Sequence, residues 1–356
     1  KHDAQKTKAE LKTMQPHIFE GIDAHTCGNP VRLVAQGGPE LVGDNMSAKR
    51  QDFLTHHDWV RTALMFEPRG HAMMSGSILY PPSDPAHDGA ILFIETSGCL
   101  PMCGHGTIGT VTTALQEGLW TPKVAGQLTL EVPAGVIRIE YQQDDDGQVE
   151  FVRIFNVASY LAHQAVVIHC PGLGELKIDV AYGGNYYAII EPQANFAGLH
   201  QFSAAQVLRY SPLIREAVNK VATCIHPEDT SVNGISHVMW TGEPQREGSN
   251  ASNAVFYGSG AIDRSPCGTG TSARMAQLHA QGRLTTDQQF VHESIIGSQF
   301  IGRVESTTQV GPYPAIMPSV QGWAKVTGYN RIIVDPSDPY AHGFEVKKEN
   351  NNMDLH

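Results

Sequence analysis

Two short turns carry the residue types best suited to moving protons. Cys103-Gly104-His105-Gly106-Thr107 and Cys267-Gly268-Thr269-Gly270-Thr271 share the pattern Cys-Gly-x-Gly-Thr, and a glycine follows each cysteine at the same distance, Gly118 and Gly282. Each turn comes after a β-rich run ending in glycine (Gly98, Gly258) and opens a helical stretch. A helix start exposes N–H groups with no intrahelical acceptor, at the positive end of the macrodipole. A cysteine placed there is expected to have a pKa below the free value of about 8.5. A substrate carboxylate can dock on the same N–H groups. Two such starts facing each other would hold one carboxylate between two thiols. That arrangement suits inversion of a carbon next to a carboxylate: a base removes the α-proton from one face and an acid delivers a proton to the other. The developing negative charge would lie at two helix N-termini, where fixed dipoles stabilise it.

Other chemistries fit these residues less well. Cys99-x-x-x-Cys103-x-His105 has some zinc character, but four ligands at usual spacing are not apparent and the second turn offers only Cys267, so no metal is expected. A Cys99–Cys103 redox pair leaves Cys267 without a role. Gly104-x-Gly106-x-x-Gly109 and Gly268-x-Gly270-x-x-Ala273 satisfy the dinucleotide fingerprint, with Glu131 at about the right distance for a ribose contact, which would make the chain a nucleotide-dependent oxidoreductase. The motif should follow a strand directly, yet Ser97 to Pro101 and Asp263 to Pro266 intervene. Cys27, Cys170 and Cys224 read as small buried hydrophobes.

The elements that must position these turns are mostly short strands. Residues 90–94, 128–132, 136–141, 186–190, 254–257 and 331–334 are β-type runs bounded by Gly, Pro, Asp or Ser. Helical stretches fall at about 49–63, 106–117, 203–220 and 270–281. The recurrence of strand, Cys-Gly-x-Gly-Thr turn, helix and strands half a chain length apart predicts two similar halves. The expected class is α+β, with a first domain over 17–160, a second over 161–334, and 335–349 returning to the first. Residues 1–16 and 350–356 read as tails. The chain has 356 residues, 41% of them hydrophobic and 17% charged, an ordinary globular composition large enough for about two domains. A net charge of −11 argues against nucleic acid, and no apolar run approaches the roughly 20 residues of a membrane span. Six dispersed cysteines and no visible signal peptide point to free thiols in a reducing, cytoplasmic setting. A first residue Lys1 leaves a removed leader open.

Met102-Cys103-Gly104-His105-Gly106 and the run from Asp263 to Thr271 resemble the two signature motifs of the proline racemase family. The resemblance extends to Asp23-x-His25-Thr26-x-Gly28-Asn29-Pro30, to Glu67 through His71 and to Asp179 through Gly184, covering about 18 to 335. It implies two similar α/β domains of the diaminopimelate epimerase type, each a curved sheet around a central helix, with the active site between them. It implies no cofactor, neither pyridoxal phosphate nor metal. Cys103 and Cys267 become the acid/base pair. The N–H groups of Gly104, His105, Gly268 and Thr269 would hold the carboxylate, and the His105 and Asp263 side chains the ring nitrogen of a small imino acid. A homodimer is the expected assembly. The family contains proline racemases, 4-hydroxyproline 2-epimerases and trans-3-hydroxyproline dehydratases. The dehydratases usually carry Thr at the place of Cys267, so Cys267 argues for inversion. The texture of Phe290 through Gly297 resembles the 4-hydroxyproline epimerases, which puts 4-hydroxyproline first and proline second. Tyr257 could offer a hydroxyl to the pocket or simply pack in a strand.

Overall fold

Residues 15–258, 260–346 and 353–355 are described by the computed structural model. The tails expected at 1–16 and 350–356 lie largely outside them. The first half runs β1 (His17–Thr26), β2 (Asn29–Gln36), α1 (Met46–His56), α2 (Asp58–Met65), β3 (Ser75–Tyr80), β4 (Gly89–Glu95), β5 (Gly98–Leu100), α3 (Gly104–Gln116), β6 (Gln127–Val132), β7 (Gly135–Gln143) and β8 (Val149–Phe155). The second runs β9 (Ser159–Cys170), β10 (Gly174–Tyr182), β11 (Tyr186–Ile190), a 3-10 turn, α4 (Ala204–Val221), β12 (Ile235–Gly242), β13 (Ala251–Gly258), β14 (Ala261–Ile262), α5 (Gly268–Ala280), β15 (Gln289–Glu293), β16 (Gln299–Val310) and β17 (Tyr313–Gly322). β18 (Ala324–Val334) and the short β19 (Phe344–Val346) and β20 (Met353–Leu355) follow.

The pairing repeats between halves. β2–β3 and β11–β12 are parallel, as are β4–β6 and β13–β15. β4–β5 and β13–β14 are antiparallel, and β6-β7-β8 is matched by β15-β16-β17. Helix α3 is buried from Gly104 to Ala114 and α5 from Gly268 to Leu278. A helix buried all round is the centre of its layer rather than a surface cover. The sheet therefore wraps α3 in one half and α5 in the other, the two-copy α/β architecture that the duplicated turns imply. Antiparallel pairing of β17 with β8 joins the copies into one 18-stranded sheet.

Strand pairing also shows where the chain changes halves. β9 pairs with β10, whereas β18 pairs with β1 from Val334–His17 to Ala324–Thr26. The chain crosses at residues 156–158 and returns at Trp323. Ala324–Val334, placed in the second domain from sequence, thus lies in the first. Residues beyond it stay there: the Phe344 N–H donates to the Glu67 carbonyl, and Arg69 reaches the carbonyls of Tyr340 and Ala341.

Helix boundaries differ from the sequence expectation in two ways. The single helix expected over 49–63 is two, because His57 has a non-helical backbone (φ −129°) and Asp58 starts a new helix pinned by a bidentate pair with Arg61. Helices α3 and α5 each begin two residues earlier than expected, so Cys103 and Cys267 are themselves the N-caps. No helix among the described residues is long and apolar enough to cross a membrane.

Candidate active site

The two helix starts meet. A Cβ added to Gly104 would sit 2.5 Å from Gly268 Cα, and one added to Gly268 would sit 2.7 Å from Gly104 Cα. The glycine after each cysteine is therefore the point where the halves touch, backbone to backbone. The second glycine of each motif makes room for the sulfur: a Cβ on Gly106 would lie 2.7 Å from Cys103 Sγ, and one on Gly270 2.9 Å from Cys267 Sγ. These contacts account for both Gly-x-Gly pairs without a nucleotide. Glu131 is also occupied, accepting from the Ser83 and Asp84 N–H groups and bonded to the His87 ring.

Between the helix starts lies a narrow pocket of about 10 Å³. Its wall includes all seven residues singled out from sequence except Gly268: Cys103, Gly104, His105, Asp263, Cys267 and Thr269. Gly268 stands behind it, against Gly104. Cys27, Cys170 and Cys224 are buried free thiols that do not line it.

Cys103 adopts extended backbone (φ −139°), and its sulfur accepts the Gly106 N–H at 3.2 Å. Its S–H donates to Glu95 Oε1 at 3.0 Å. Cys267 is held at φ +64°, a left-handed conformation that costs a non-glycine residue on the order of 1–3 kcal/mol. Ser265 helps to hold it there, its Oγ accepting the Cys267 N–H at 3.1 Å.

The expectation of depressed thiol pKa values is overturned. Burial, then the Glu95 carboxylate, push Cys103 well above the ordinary thiol range. Burial, then Asp263, push Cys267 up as well. Both thiols are about 95% buried, and desolvation there outweighs the helix starts.

Asp263 does two jobs. Its Oδ1 accepts the Ser265 N–H and hydroxyl, closing a local turn, while Oδ2 lies 3.5 Å from His105 Nδ1. The Arg264 N–H donates to Asn29 Oδ1, which turns the Asn29 amide N–H₂ toward His105 Nε2 at 2.9 Å. In the neutral ring Nε2 is then the acceptor, and the proton sits on Nδ1 facing Asp263. Burial opposes protonation of His105, but Asp263 and Glu95 outweigh it and hold its pKa above the ordinary value. Glu95, Cys103 and His105 present ligand-type atoms within 4.8 Å of one another. Both His105 nitrogens are committed to Asn29, Ser75 and Asp263, which leaves that trio short of a free imidazole lone pair.

Four polar wall residues escaped the sequence reading: Glu95, Asn185, Tyr187 and His237. All are nearly fully buried, and three sit in or at the end of apolar strands. A polar side chain inside such a run was the available signal. Tyr257 also lines the wall, but its hydroxyl is spent on the Met73 carbonyl at 2.8 Å.

A protein from Shewanella loihica described as a 4-hydroxyproline 2-epimerase is 64% identical over 328 residues, 92% of this chain and 98% of its own. The structure of a hydroxyproline epimerase from Agrobacterium vitis with bound trans-4-hydroxy-L-proline superposes with a TM-score of 0.87 at 27% identity, over 94% of this chain and 97% of that one. A Bacillus anthracis phenazine biosynthesis protein of the PhzF family shares the fold at a TM-score of 0.55 and 17% identity, over 90% and 99% of the two chains. A sequence profile described as proline racemase matches residues 21–345, which takes in both Cys-Gly-x-Gly-Thr turns and the strands that carry the wall: the chain belongs to the proline racemase family.

Proposed function

We propose that the chain is a 4-hydroxyproline 2-epimerase that interconverts trans-4-hydroxy-L-proline and cis-4-hydroxy-D-proline, with Cys103 and Cys267 as the proton-transfer groups. The observation that carries this reading is the pair of buried thiols at the starts of two helices that touch at Gly104 and Gly268. The substrate carboxylate binds the N–H groups of Gly104, His105, Gly268 and Thr269. The ring nitrogen faces His105 and Asp263, and the α-carbon lies between the sulfurs. One sulfur, as thiolate, takes the α-proton, and the other thiol gives its proton to the opposite face. The total charge of the enzyme is unchanged, and the roles exchange on the return. Negative charge gathering on the carboxylate is met by two helix N-termini.

The ring hydroxyl has a partner in His237. Its ring packs against Tyr187 at 4.7 Å and Tyr257 at 6.5 Å between centroids. Nδ1 is bonded to Ser236 Oγ at 2.6 Å, and Nε2 has no protein partner among the described residues. Burial, then Arg215, bring the His237 pKa down to about 3, so a neutral ring faces the cavity at physiological pH. A hydroxyl there completes its hydrogen bonding, whereas proline leaves it unpaired. The names of the curated relatives favour the same substrate.

The test is incubation with trans-4-hydroxy-L-proline, L-proline or trans-3-hydroxy-L-proline in heavy water, read by NMR. The expected result is inversion with deuterium at the α-carbon, fastest for the 4-hydroxy substrate. Faster inversion of proline, or loss of water from the 3-hydroxy isomer, would overturn the assignment.

A further inference from the structure

The two thiols have unlike neighbours. Beside Cys103 stands Glu95, a carboxyl group that accepts the S–H at 3.0 Å. Beside Cys267 stands the Tyr187 hydroxyl, at 3.2 Å. The groups behind that hydroxyl offer it a donor, which suits one direction. Asn185 Nδ2 can only donate, and it donates to the Met102 carbonyl at 2.6 Å and to Thr269 Oγ1 at 3.3 Å. Thr269 Oγ1, having accepted that bond, is free to donate to Tyr187 Oη at 2.5 Å. Tyr187 then has its own proton left for Cys267 Sγ. The chain Asn185, Thr269, Tyr187 thus ends in a donor aimed at one sulfur, whereas the other sulfur meets an acceptor.

Resting on the two-thiol reading above, we propose that Glu95 and Tyr187 are positioning residues that fix the resting proton of the pair. Glu95 keeps the proton on Cys103, and Tyr187 makes Cys267 the sulfur of the pair that ionises first. Between Cys103 and Glu95 the proton stays on sulfur, because thiols hold protons about four units more tightly than carboxyls and burial raises both. At Cys267 the other titratable groups are Tyr187, which favours the thiolate, and Asp263, which opposes it. At Cys103 they are Glu95 and Asp263, both opposing the thiolate, and the nearby His105 ring. A protonated His105 favours the Cys103 thiolate, but its charge is matched by Asp263, so the Glu95 acceptor at Cys103 and the Tyr187 hydroxyl at Cys267 leave Cys267 the more acidic thiol.

In the step that follows, the Cys267 thiolate takes the substrate's α-proton and becomes a thiol. The Cys103 S–H delivers its proton to the other face and becomes a thiolate beside the Glu95 carboxylate. That product form is the less stable of the two. A proton must pass from Cys267 back to Cys103 through solvent or bound product before the resting form returns.

The test uses the ligand-free full chain. Thiolate absorbance near 240 nm is titrated in the wild type and in the near-isosteric variants Cys103→Ser and Cys267→Ser. Limiting iodoacetamide with peptide mass spectrometry reports which sulfur is alkylated. The expected result is thiolate absorbance retained in Cys103→Ser and lost in Cys267→Ser, with Cys267 alkylated at least five times faster than Cys103. Tyr187→Phe should move the Cys267 midpoint upward by about one pH unit, since a hydrogen bond to the charged form favours it. Glu95→Gln should bring the alkylation ratio toward one, and Glu95→Asp should largely restore it. Absorbance lost in Cys103→Ser instead, or a ratio that Glu95→Gln does not move, would overturn the proposal. Neither readout needs a substrate, so these failures are distinct from failure of the hydroxyproline reading, which the NMR panel decides.

Discussion

Replacing Gly104 by alanine tests whether the contact between the two helix starts sets the geometry of catalysis. The new Cβ would lie 2.5 Å from Gly268 Cα, 2.9 Å from Gly268 C and 3.0 Å from Thr269 N. All three are backbone atoms, so no side chain can rotate away. Ordinary carbon contacts sit at about 3.5–4.0 Å, which means the helix starts must part by roughly 1 Å. Overpacking of this kind costs about 1–3 kcal/mol. The effect on activity should be larger. The carboxylate is to be held by N–H groups from both helices, and a misplacement of about 1 Å costs roughly 100-fold in rate. The assay is the initial rate of α-deuterium incorporation into trans-4-hydroxy-L-proline, run beside a thermal melt. Expected is a variant that folds, melts about 2–4 °C lower for each kcal/mol lost, and turns over about 100-fold more slowly. Gly328→Ala, with nothing within 4 Å of its new Cβ, serves as the control and should match the wild type. If Gly104→Ala retained more than half the wild-type rate, the touching helix starts would have no part in holding the reacting atoms.

Cys103→Ala and Cys267→Ala should each abolish inversion with the melt preserved, because each thiol serves one face; a single mutant that still interconverts both stereoisomers at a near-normal rate refutes the two-thiol mechanism. His237→Phe keeps the stack on Tyr187 and removes the polar edge, so turnover of 4-hydroxyproline should drop about 10- to 100-fold relative to proline; competition between the two substrates in heavy water measures that ratio, and an unchanged ratio removes His237 from recognition. Glu131 carries a pH prediction: burial works against its charge, but the Asp84 N–H, the His87 ring and the Ser83 N–H outweigh it and bring its pKa to about 2. A depressed folded pKa gives stability that is complete above the unfolded value near 4.5 and is lost as pH falls toward 2, so Glu131→Gln should cost up to roughly 3 kcal/mol at neutral pH and flatten the acid side of the stability curve. Melts of the two proteins that stay parallel from pH 6 to pH 2 would contradict it.

The sequence made the two turns legible because their chemistry is local. A cysteine, two glycines and a threonine at fixed spacing cap a helix wherever they fall, and the duplication doubled the signal. The strands at 90–94 and 186–190 were equally plain as apolar runs, and the structure buries them completely. What stayed hidden was set by long-range pairing. Glu95 directly follows the apolar run 90–94, and only because β5 folds back over it is it 1% exposed beside Cys103. Tyr187 and His237 are paired neighbours across β11–β12, a parallel contact that periodicity cannot reveal. The thiol pKa values went the other way from expectation for a related reason. A helix start is visible in sequence, but the desolvation of a pocket lined by both halves is not.

The exchange of end strands has a consequence for how the two sulfurs came to differ. The first half is completed by β18 and the second by β9, so each copy owes its last sheet position to a segment lying across the crossover. A fragment ending near residue 158 would leave the ten positions of β1 with an open edge, an invitation to aggregate. The same wiring is what two half-length chains would make by trading strands, as swapped dimers do. Such a dimer would be bound by its symmetry to place identical residues beside both thiols. One continuous chain is not so bound, and here a carboxyl flanks one sulfur and a phenol the other. That freedom suits its proposed substrate. The two forms of 4-hydroxyproline are diastereomers rather than mirror images, because the ring hydroxyl keeps its configuration while the α-carbon inverts. A pocket with perfect twofold symmetry would serve a mirror-image pair; a lopsided one can follow a molecule that is never its own reflection.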